Sequence, residues 1–190
     1  VKNLKQLQTV IHYQFKDESL LETALIHRSC SKNHNNERLE FLGDSVLGLV
    51  ISTHLFTRQE KANEGELSRI RSSLVKEDAL ATVARDINLG DYLKLGSGEL
   101  KSGGFRRASI LSDAMEALIG AIFIDAGFAQ CEKTILFLYQ EYLVTLPSLV
   151  DLKDPKTTLQ EYLQSNQIEL PEYEVVKTVG KSHDQTFTVE

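Results

Sequence analysis

Helical periodicity constrains this chain more than any other feature of its sequence. From the start to about residue 146, apolar residues recur at intervals of three and four in successive segments, among them "ERLEFLGDSVLGLVISTHLF", "EGELSRIRSSLV", "SILSDAMEALIGAIFIDA" and "CEKTILFLYQEYLVT". Asn63 followed by Glu66 has the spacing of a capping box, and Gly90 and Gly127 are typical of helix C-termini. We therefore predict an all-helical domain over residues 1–146.

The pattern changes after residue 146. The segment "LPSLVDLKDPK" has the prolines and mixed charge of a linker, which we assign to residues 147–155. Then "TTLQEYLQSN" predicts one helix, and the alternating runs "YEVVKTV" and "QTFTVE", joined by "GKSHD", predict a hairpin of two strands. One helix and two strands are too little for an independent core. We therefore expect residues 156–190 to form the N-terminal part of a second, α+β module.

Composition excludes several classes of protein. The chain has 190 residues, of which 42% are hydrophobic and 25% charged, as in soluble globular proteins. No apolar run approaches the ~20 residues that span a bilayer, so we expect no membrane partner. Cys30 and Cys131 lack a CxxC spacing, which favours reduced thiols in a cytoplasmic protein over a disulfide. The net charge of −6 argues weakly against nucleic acid, so the distribution of charge matters more.

The first candidate site is an acidic face on the segment "ERLEFLGDS". On a helix, Glu37, Glu40 and Asp44 fall within an arc of about 60°. The expected buried face lies on the far side and comprises Leu39, Leu42, Val46 and Val50. Phe41 lies beside the acidic face, away from the core. An exposed aromatic there suggests a surface covered by a second subunit, and cover by another helix of the same chain is the alternative.

A second helix repeats the acidic spacing. Asp113 and Glu116 share one face of a segment that is apolar almost all round, and Gly120 on that face would admit a neighbouring backbone. Carboxylates on a central helix are costly unless they are paired or bind metal. If the two acidic faces meet, an all-oxygen cluster suited to Mg²⁺ or Mn²⁺ forms from Glu40, Asp44, Asp113 and Glu116. The alternative is two solvated faces that never meet.

Two further features complete the candidate set. Glu64 opens a helix, where an acid is favoured by the helix dipole. Residues 96–107, "GSGELKSGGFRR", place Lys101, Arg106 and Arg107 among four glycines, immediately before the second acidic helix. The spacing of a phosphate-binding loop is absent, and we expect no organic cofactor. These bases could meet phosphates beside a metal site, and a flexible loop with solvated charges is the alternative.

Taken together, these segments resemble the ribonuclease III family. The run "NNERLEFLGDSVLGLV" resembles the family signature, and "EGELSRIRSSLV", "LGSGELKSGGFRRASILSDAMEALIGAIFIDAG" and "DPKTTLQEYLQ" follow in the family's order. The resemblance covers essentially the whole chain and fits the bacterial form best. It implies an all-α endonuclease domain, working as a cytoplasmic homodimer, followed by a partial double-stranded-RNA-binding domain. The implied reaction cuts double-stranded RNA into 5′-phosphate and 3′-hydroxyl ends with short 3′ overhangs, in ribosomal and messenger RNA processing.

The resemblance also implies roles for individual residues. Mg²⁺, or Mn²⁺ in its place, would be held by Glu40, Asp44, Asp113 and Glu116. Glu37 and Glu64 match further acids of the catalytic valley, with Glu64 serving the partner's side, and Phe41 matches the aromatic that inserts into the other subunit. In the tail, the positions that match contacts to duplex RNA are Thr157, Gln160, Glu161 and His183. The third strand and final helix of that domain have no counterpart in these residues.

Two other functions remain open at this point. A binding module with the same fold would hold structured RNA without cutting it, but such a protein is expected to lose acids from the metal quartet, and all four are present. A helical dimerisation scaffold without RNA would leave Lys101, Arg106, Arg107 and the tail motif unexplained. The sequence therefore favours the enzyme.

Overall fold

The computed structural model describes residues 3–146, 155–181 and 184–190. The chain divides into two units, residues 1–149 and 150–190. The helices of the first unit are α1 (Leu4–Val10), α2 (Glu18–Ala24), α3 (Glu37–Arg58), α4 (Glu64–Val75), α5 (Glu77–Asp86), α6 (Ser97–Lys101), α7 (Ala108–Ala126), α8 (Phe128–Leu138) and α9 (Gln140–Val144), with 3₁₀ turns at Leu89–Tyr92 and Gly104–Arg106. The second unit contains α10 (Pro155–Ser165), β1 (Val175–Lys181) and β2 (Asp184–Val189). The predicted fold class is confirmed, whereas nearly all of the predicted linker, 147–155, lies outside the described residues.

The long helix α7 is the centre of the first unit. It packs against α2, α3, α5 and α8, so it is covered on nearly every side. Its buried apolar residues are Ile110, Leu111, Ala114, Met115, Ala117, Leu118, Ile119, Ala121 and Ile122. Removing these side chains from water is the main driving force for the folding of the first unit. The helix ends at Gly127, whose φ of 76° confirms the predicted C-cap, because a residue with a Cβ would be strained there.

Helices α3 and α7 approach each other through two glycines. A Cβ added at Gly43 of α3 would lie 1.8 Å from the carbonyl oxygen of Glu116, and a Cβ added at Gly120 of α7 would lie 2.2 Å from that of Leu39. No side chain larger than hydrogen fits at either position without moving a helix. The backbone approach predicted at Gly120 is therefore confirmed, and it brings the acidic stretches of the two helices side by side.

The two faces of α3 differ partly from the prediction. Val46 and Val50 are buried, but Leu39 and Leu42 are only half-buried. The reason is that both leucines lie at the rim of a groove of about 360 Å³ that also contains Ile124. Among the described residues, α3 is long and apolar enough to cross a membrane by length and composition alone. The core helices of soluble proteins pass the same test, so one such helix is weak evidence for a membrane span.

Three other local predictions have clear outcomes. Asn63 caps α4 with the reciprocal Glu66 bond, which confirms the capping box. Gly90 as a helix C-cap is wrong: α5 ends at Asp86, and Asn88 is the left-handed residue, with φ 52°. Gly90 instead lies in a 3₁₀ turn, where a Cβ would come 2.2 Å from the Phe105 carbonyl oxygen. The segment after Gly127 forms two helices rather than one, with a break at Tyr139.

The second unit is a helix followed by an antiparallel hairpin. The strands pair Thr178 with Phe187 and Lys181 with Asp184, and an irregularity interrupts the ladder between Val175 and Lys177. Residues of β1 are exposed along the whole strand, so the described residues bury neither face of the sheet there. This unit therefore holds its shape mainly through backbone hydrogen bonds and local contacts.

Candidate metal centre and nucleic-acid interface

Three of the four predicted metal ligands meet between α3 and α7. One carboxylate oxygen each from Glu40, Asp113 and Glu116 lies within 4.8 Å of the others, and all three residues are half-buried. Asp44, one turn further along α3, is exposed and lies outside this group. It is nevertheless close enough for its charge to act on Glu116. The two acidic faces therefore meet, and the alternative of two separate solvated faces does not hold.

The electrostatics of this cluster are those of crowded like charges. The pKa of Glu116 is raised to about 8, mainly by burial and then by the charges of Asp44, Glu40 and Asp113, in that order. The pKa of Glu40 is raised by burial, then by Asp113 and Glu37. The pKa of Asp113 is also raised, chiefly by burial. Bringing several carboxylates together out of water is costly, and a divalent cation among them would remove that cost.

Glu37 is turned toward a loop residue that the sequence pattern did not single out. Its Oε1 lies 3.2 Å from Nη1 of Arg28, and its Oε2 accepts a hydrogen bond of 3.2 Å from Nδ2 of Asn35. Arg28 also lowers the pKa of Glu40, opposing its acidic neighbours. Helical spacing could not reveal these contacts, because Arg28 and Asn35 lie in the segment before α3. Both ends of the Arg28–Glu37 pair are largely exposed, so its contribution to stability is small.

Glu64 lies far from the cluster within one subunit. It is the first residue of α4, is exposed, and accepts a 2.8 Å hydrogen bond from the Ser68 hydroxyl. It borders a groove of about 720 Å³ whose other lining residues include Ser52, Thr53, Phe56, Leu67 and Arg71. Because Thr53 is thirteen positions beyond Glu40 on α3, the groove lies roughly 20 Å along the helix from the cluster. The structure therefore does not bring Glu64 to the metal cluster of its own subunit.

Apolar residues form an exposed stripe along α3. Phe41 is 79% exposed and Phe56 is 76% exposed, with exposed Leu49 on the same face between them. No other described residue covers Phe41, so the alternative of cover by a helix of the same chain is not met. The stripe runs roughly 22 Å, from beside the acidic cluster to the groove at Glu64. Such a surface on a folded domain is typical of a contact with another molecule.

The glycine-rich stretch is folded rather than loose. It forms α6 and a 3₁₀ turn, with Gly103 in a left-handed conformation at φ 74°. Arg107 is held by Oε2 of Glu99 at 2.8 Å and also donates to the Ser102 hydroxyl. The guanidinium of Arg106 lies 5.1 Å from the centre of the Phe105 ring, and Lys101 is exposed at the end of α6. The stretch therefore has regular structure, while the side chains of Lys101, Arg106 and Arg107 are exposed to solvent.

The predicted tail residues are described only in part. Thr157, Gln160 and Glu161 all lie on α10. His183 lies between the two strands and outside the described residues. The structure thus places three of these four positions on the first element of the second unit.

Comparisons with known proteins agree with this architecture. Residues 17–142 match the family described as Ribonuclease-III-like, and residues 155–190 match the Double-stranded RNA binding motif. Fold, cluster and matches together define a helical nuclease joined to a double-stranded-RNA-binding module. The chain belongs to the ribonuclease III family, so the predicted endoribonuclease class is confirmed. The family is metal-dependent, and the acidic cluster supplies suitable donors.

Individual relatives support the assignment over the full chain. Ribonuclease 3 from Shewanella amazonensis is 55% identical over 190 residues, which cover all of this chain and 84% of that protein. Ribonuclease 3 from Hahella chejuensis is 54% identical over 186 residues, covering 98% and 82%. The ribonuclease III nuclease domain from Campylobacter jejuni has a TM-score of 0.73 and 44% identity, covering 77% of this chain and all of that structure. A second structure of that domain, described for flexibility in a region involved in dimer formation, has a TM-score of 0.72 and 46% identity, covering 73% and 97%.

Proposed function

We propose that this endoribonuclease hydrolyses phosphodiester bonds of double-stranded RNA with Mg²⁺, for which Mn²⁺ can substitute, held by Glu40, Asp44, Asp113 and Glu116. The observation that carries the proposal is the convergence of carboxylates from α3 and α7 within 4.8 Å, with raised pKa values that a cation would relieve. A donor set made only of oxygens suits hard cations. When bound, such an ion lowers the pKa of a water molecule and polarises the scissile phosphate.

The chain's own residues then have separate tasks. Glu116 releases its proton as the cation binds, since carboxylates bind metals as anions. Lys101 and Arg106 contact the phosphates that flank the cut, and Arg107 does so from a position fixed by Glu99. Glu37 belongs to the catalytic valley formed by these residues. The products carry 5′-phosphate and 3′-hydroxyl ends, with short 3′ overhangs from paired cuts.

The working form is a homodimer in which the α3 stripes face each other. A two-fold axis makes a surface pack on itself, so antiparallel stripes centred near Leu49 would place Phe41 opposite the partner's Phe56. Phe41 would then enter the groove of about 720 Å³ that Glu64 borders. The same arrangement carries the partner's Glu64 toward the acidic end of α3, which Glu64 cannot reach within its own subunit. Dimerisation therefore completes the catalytic valley.

The second unit binds the RNA duplex. Thr157, Gln160 and Glu161 would contact one minor groove and His183 the next, reading shape rather than base sequence. Residues 151–190 contain four lysines and eight acidic residues. Because this part has a net negative charge, its binding to phosphates is weak at ordinary salt. We retain the boundaries 1–146, 147–155 and 156–190 for nuclease domain, linker and RNA-binding part. Ribosomal and messenger RNA in the cytoplasm are the proposed targets.

Cleavage of a long end-labelled RNA duplex at low salt tests the proposal. We expect cuts with Mg²⁺, none with EDTA, and 5′-phosphate ends on the products. Glu116→Gln should lower the cleavage rate by roughly 100-fold or more, because even outer partners of a metal site are worth 10–100-fold. Duplex binding in Ca²⁺ should be retained.

Glu141→Gln is the matched control, since it removes the same charge from an exposed position on α9. It should cut RNA at the wild-type rate. A Glu116→Gln protein that also cuts at the wild-type rate would show that the site is assigned wrongly. Wild-type protein that binds the duplex with Mg²⁺ and leaves it intact would favour the non-catalytic RNA-binding alternative.

A further inference from the structure

Tyr139 carries a buried hydroxyl whose presence needs an explanation. The residue stands at the break between α8 and α9 and is 1% exposed. Its hydroxyl has no hydrogen-bond partner among the described residues. Burying an unpartnered hydroxyl costs free energy, and a phenylalanine would fill the same space without that cost. The ring itself is well packed, with its centre 6.1 Å from that of Tyr142 in an edge-to-face arrangement.

The charged group that acts on this hydroxyl is Glu116. After burial, the Glu116 carboxylate is the largest influence on the pKa of Tyr139, and it raises that pKa. The Glu116 carboxylate likewise makes no hydrogen bond with any described residue. Glu40 and Asp113 lie with Glu116 in the carboxylate cluster, whereas Tyr139 is buried and within electrostatic range of the Glu116 carboxylate. A buried donor and a carboxylate acceptor that influence each other electrostatically are thus both without a hydrogen-bond partner among the described residues.

We propose that Tyr139 is a positioning residue, whose hydroxyl donates a hydrogen bond to the Glu116 carboxylate when that carboxylate binds the cation. The bond would fix which Glu116 oxygen faces the metal and would satisfy the other one. This inference rests on the proposed function of the cluster. Carboxylates that bind metals are themselves held by outer hydrogen bonds, and a bond to an ionised acceptor is stronger than one between neutral groups.

Tyr139→Phe removes only the hydroxyl and tests the inference directly. Binding of Mn²⁺ is measured by calorimetry at a temperature where circular dichroism shows every variant folded, and Tm is measured in EDTA. We expect the Mn²⁺ Kd to rise about 10-fold. The Tm in EDTA should stay equal or rise, because an unsatisfied buried group is removed. The Mg²⁺ concentration for half-maximal cleavage should rise in parallel with the Mn²⁺ Kd.

Tyr142→Phe is the matched control, because it removes a neighbouring hydroxyl that donates to Asp86 instead. It should leave the Mn²⁺ Kd unchanged while lowering the Tm. A Tyr139→Phe Kd within twofold of wild type would overturn the inference, whatever happens to its Tm. Failure of the metal site itself would be seen separately, as Glu116→Gln binding Mn²⁺ as tightly as the wild-type protein.

Discussion

Replacing Gly43 with alanine should separate the two helices that carry the metal centre. The new Cβ would lie 1.8 Å from the Glu116 carbonyl oxygen and 2.6 Å from its carbonyl carbon, both of which are backbone atoms that cannot swing aside. An ordinary C···O contact is about 3.3 Å, so the helices must move apart by roughly 1.5 Å. Overpacking of this kind costs about 1–3 kcal/mol and sometimes more, against about 1 kcal/mol gained in helix propensity. Because the overlap is with fixed backbone atoms, we take the upper end of this cost, about 3 kcal/mol, and expect a net loss of about 2 kcal/mol.

Urea unfolding in EDTA measures this loss, and Mn²⁺ calorimetry measures its effect on the site. Because the displaced atoms belong to Glu116, Mn²⁺ affinity should fall together with stability. Gly98→Ala is the control: Gly98 lies in α6, and a Cβ added there would have no other atom within 4 Å. That change should be neutral or stabilising by up to about 1 kcal/mol. A Gly43→Ala protein as stable as wild type would refute the close contact between α3 and α7.

Two other perturbations test the interface and the electrostatics. Phe41→Asp should convert the dimer to monomer in sedimentation experiments, because a charge buried in an apolar interface is costly. Val144→Asp is the control: it places the same charge at an exposed apolar residue of α9, and this variant should remain dimeric. In EDTA the free energy of unfolding should fall as the pH rises from about 4.5 to about 8, since folded Glu116 keeps its proton up to about 8 whereas the unfolded chain releases it near 4.5. Urea midpoints of Glu116→Gln should show a smaller fall across this range, and an identical fall would contradict the assignment.

Local sequence signals predicted those parts of the structure that depend on neighbouring residues. The Asn63–Glu66 capping box located the start of α4, and the apolar surround of Asp113 and Glu116 indicated that their helix is central. The glycine at position 120 indicated where another backbone approaches, because the absence of a Cβ is visible in the sequence itself. Each of these signals is carried by the residue itself or by its near neighbours, although the backbone that approaches Gly120 belongs to Leu39 on a distant helix.

Other features depended on distant contacts and could not be predicted in this way. Gly90 resembled a helix cap, but its requirement for glycine comes from the carbonyl of Phe105, fifteen residues later. The ion pair between Arg28 and Glu37 could not be predicted, because Arg28 lies in an irregular segment whose sequence has no periodicity. Tyr139 gave no signal at all, since its hydroxyl comes within electrostatic range of Glu116 only when α8 packs against α7.

The two cysteines differ in a way that is useful for labelling. Cys30 is exposed in the segment before α3, two residues from the Arg28 that pairs with Glu37. Cys131 is fully buried, donates to the Ile119 carbonyl, and has a pKa raised to about 12 by burial, so its reactive thiolate is scarce. A maleimide dye should therefore attach at Cys30 alone, without any cysteine being removed. The native chain thus carries a single site for attaching a fluorescent dye, close to the acidic cluster.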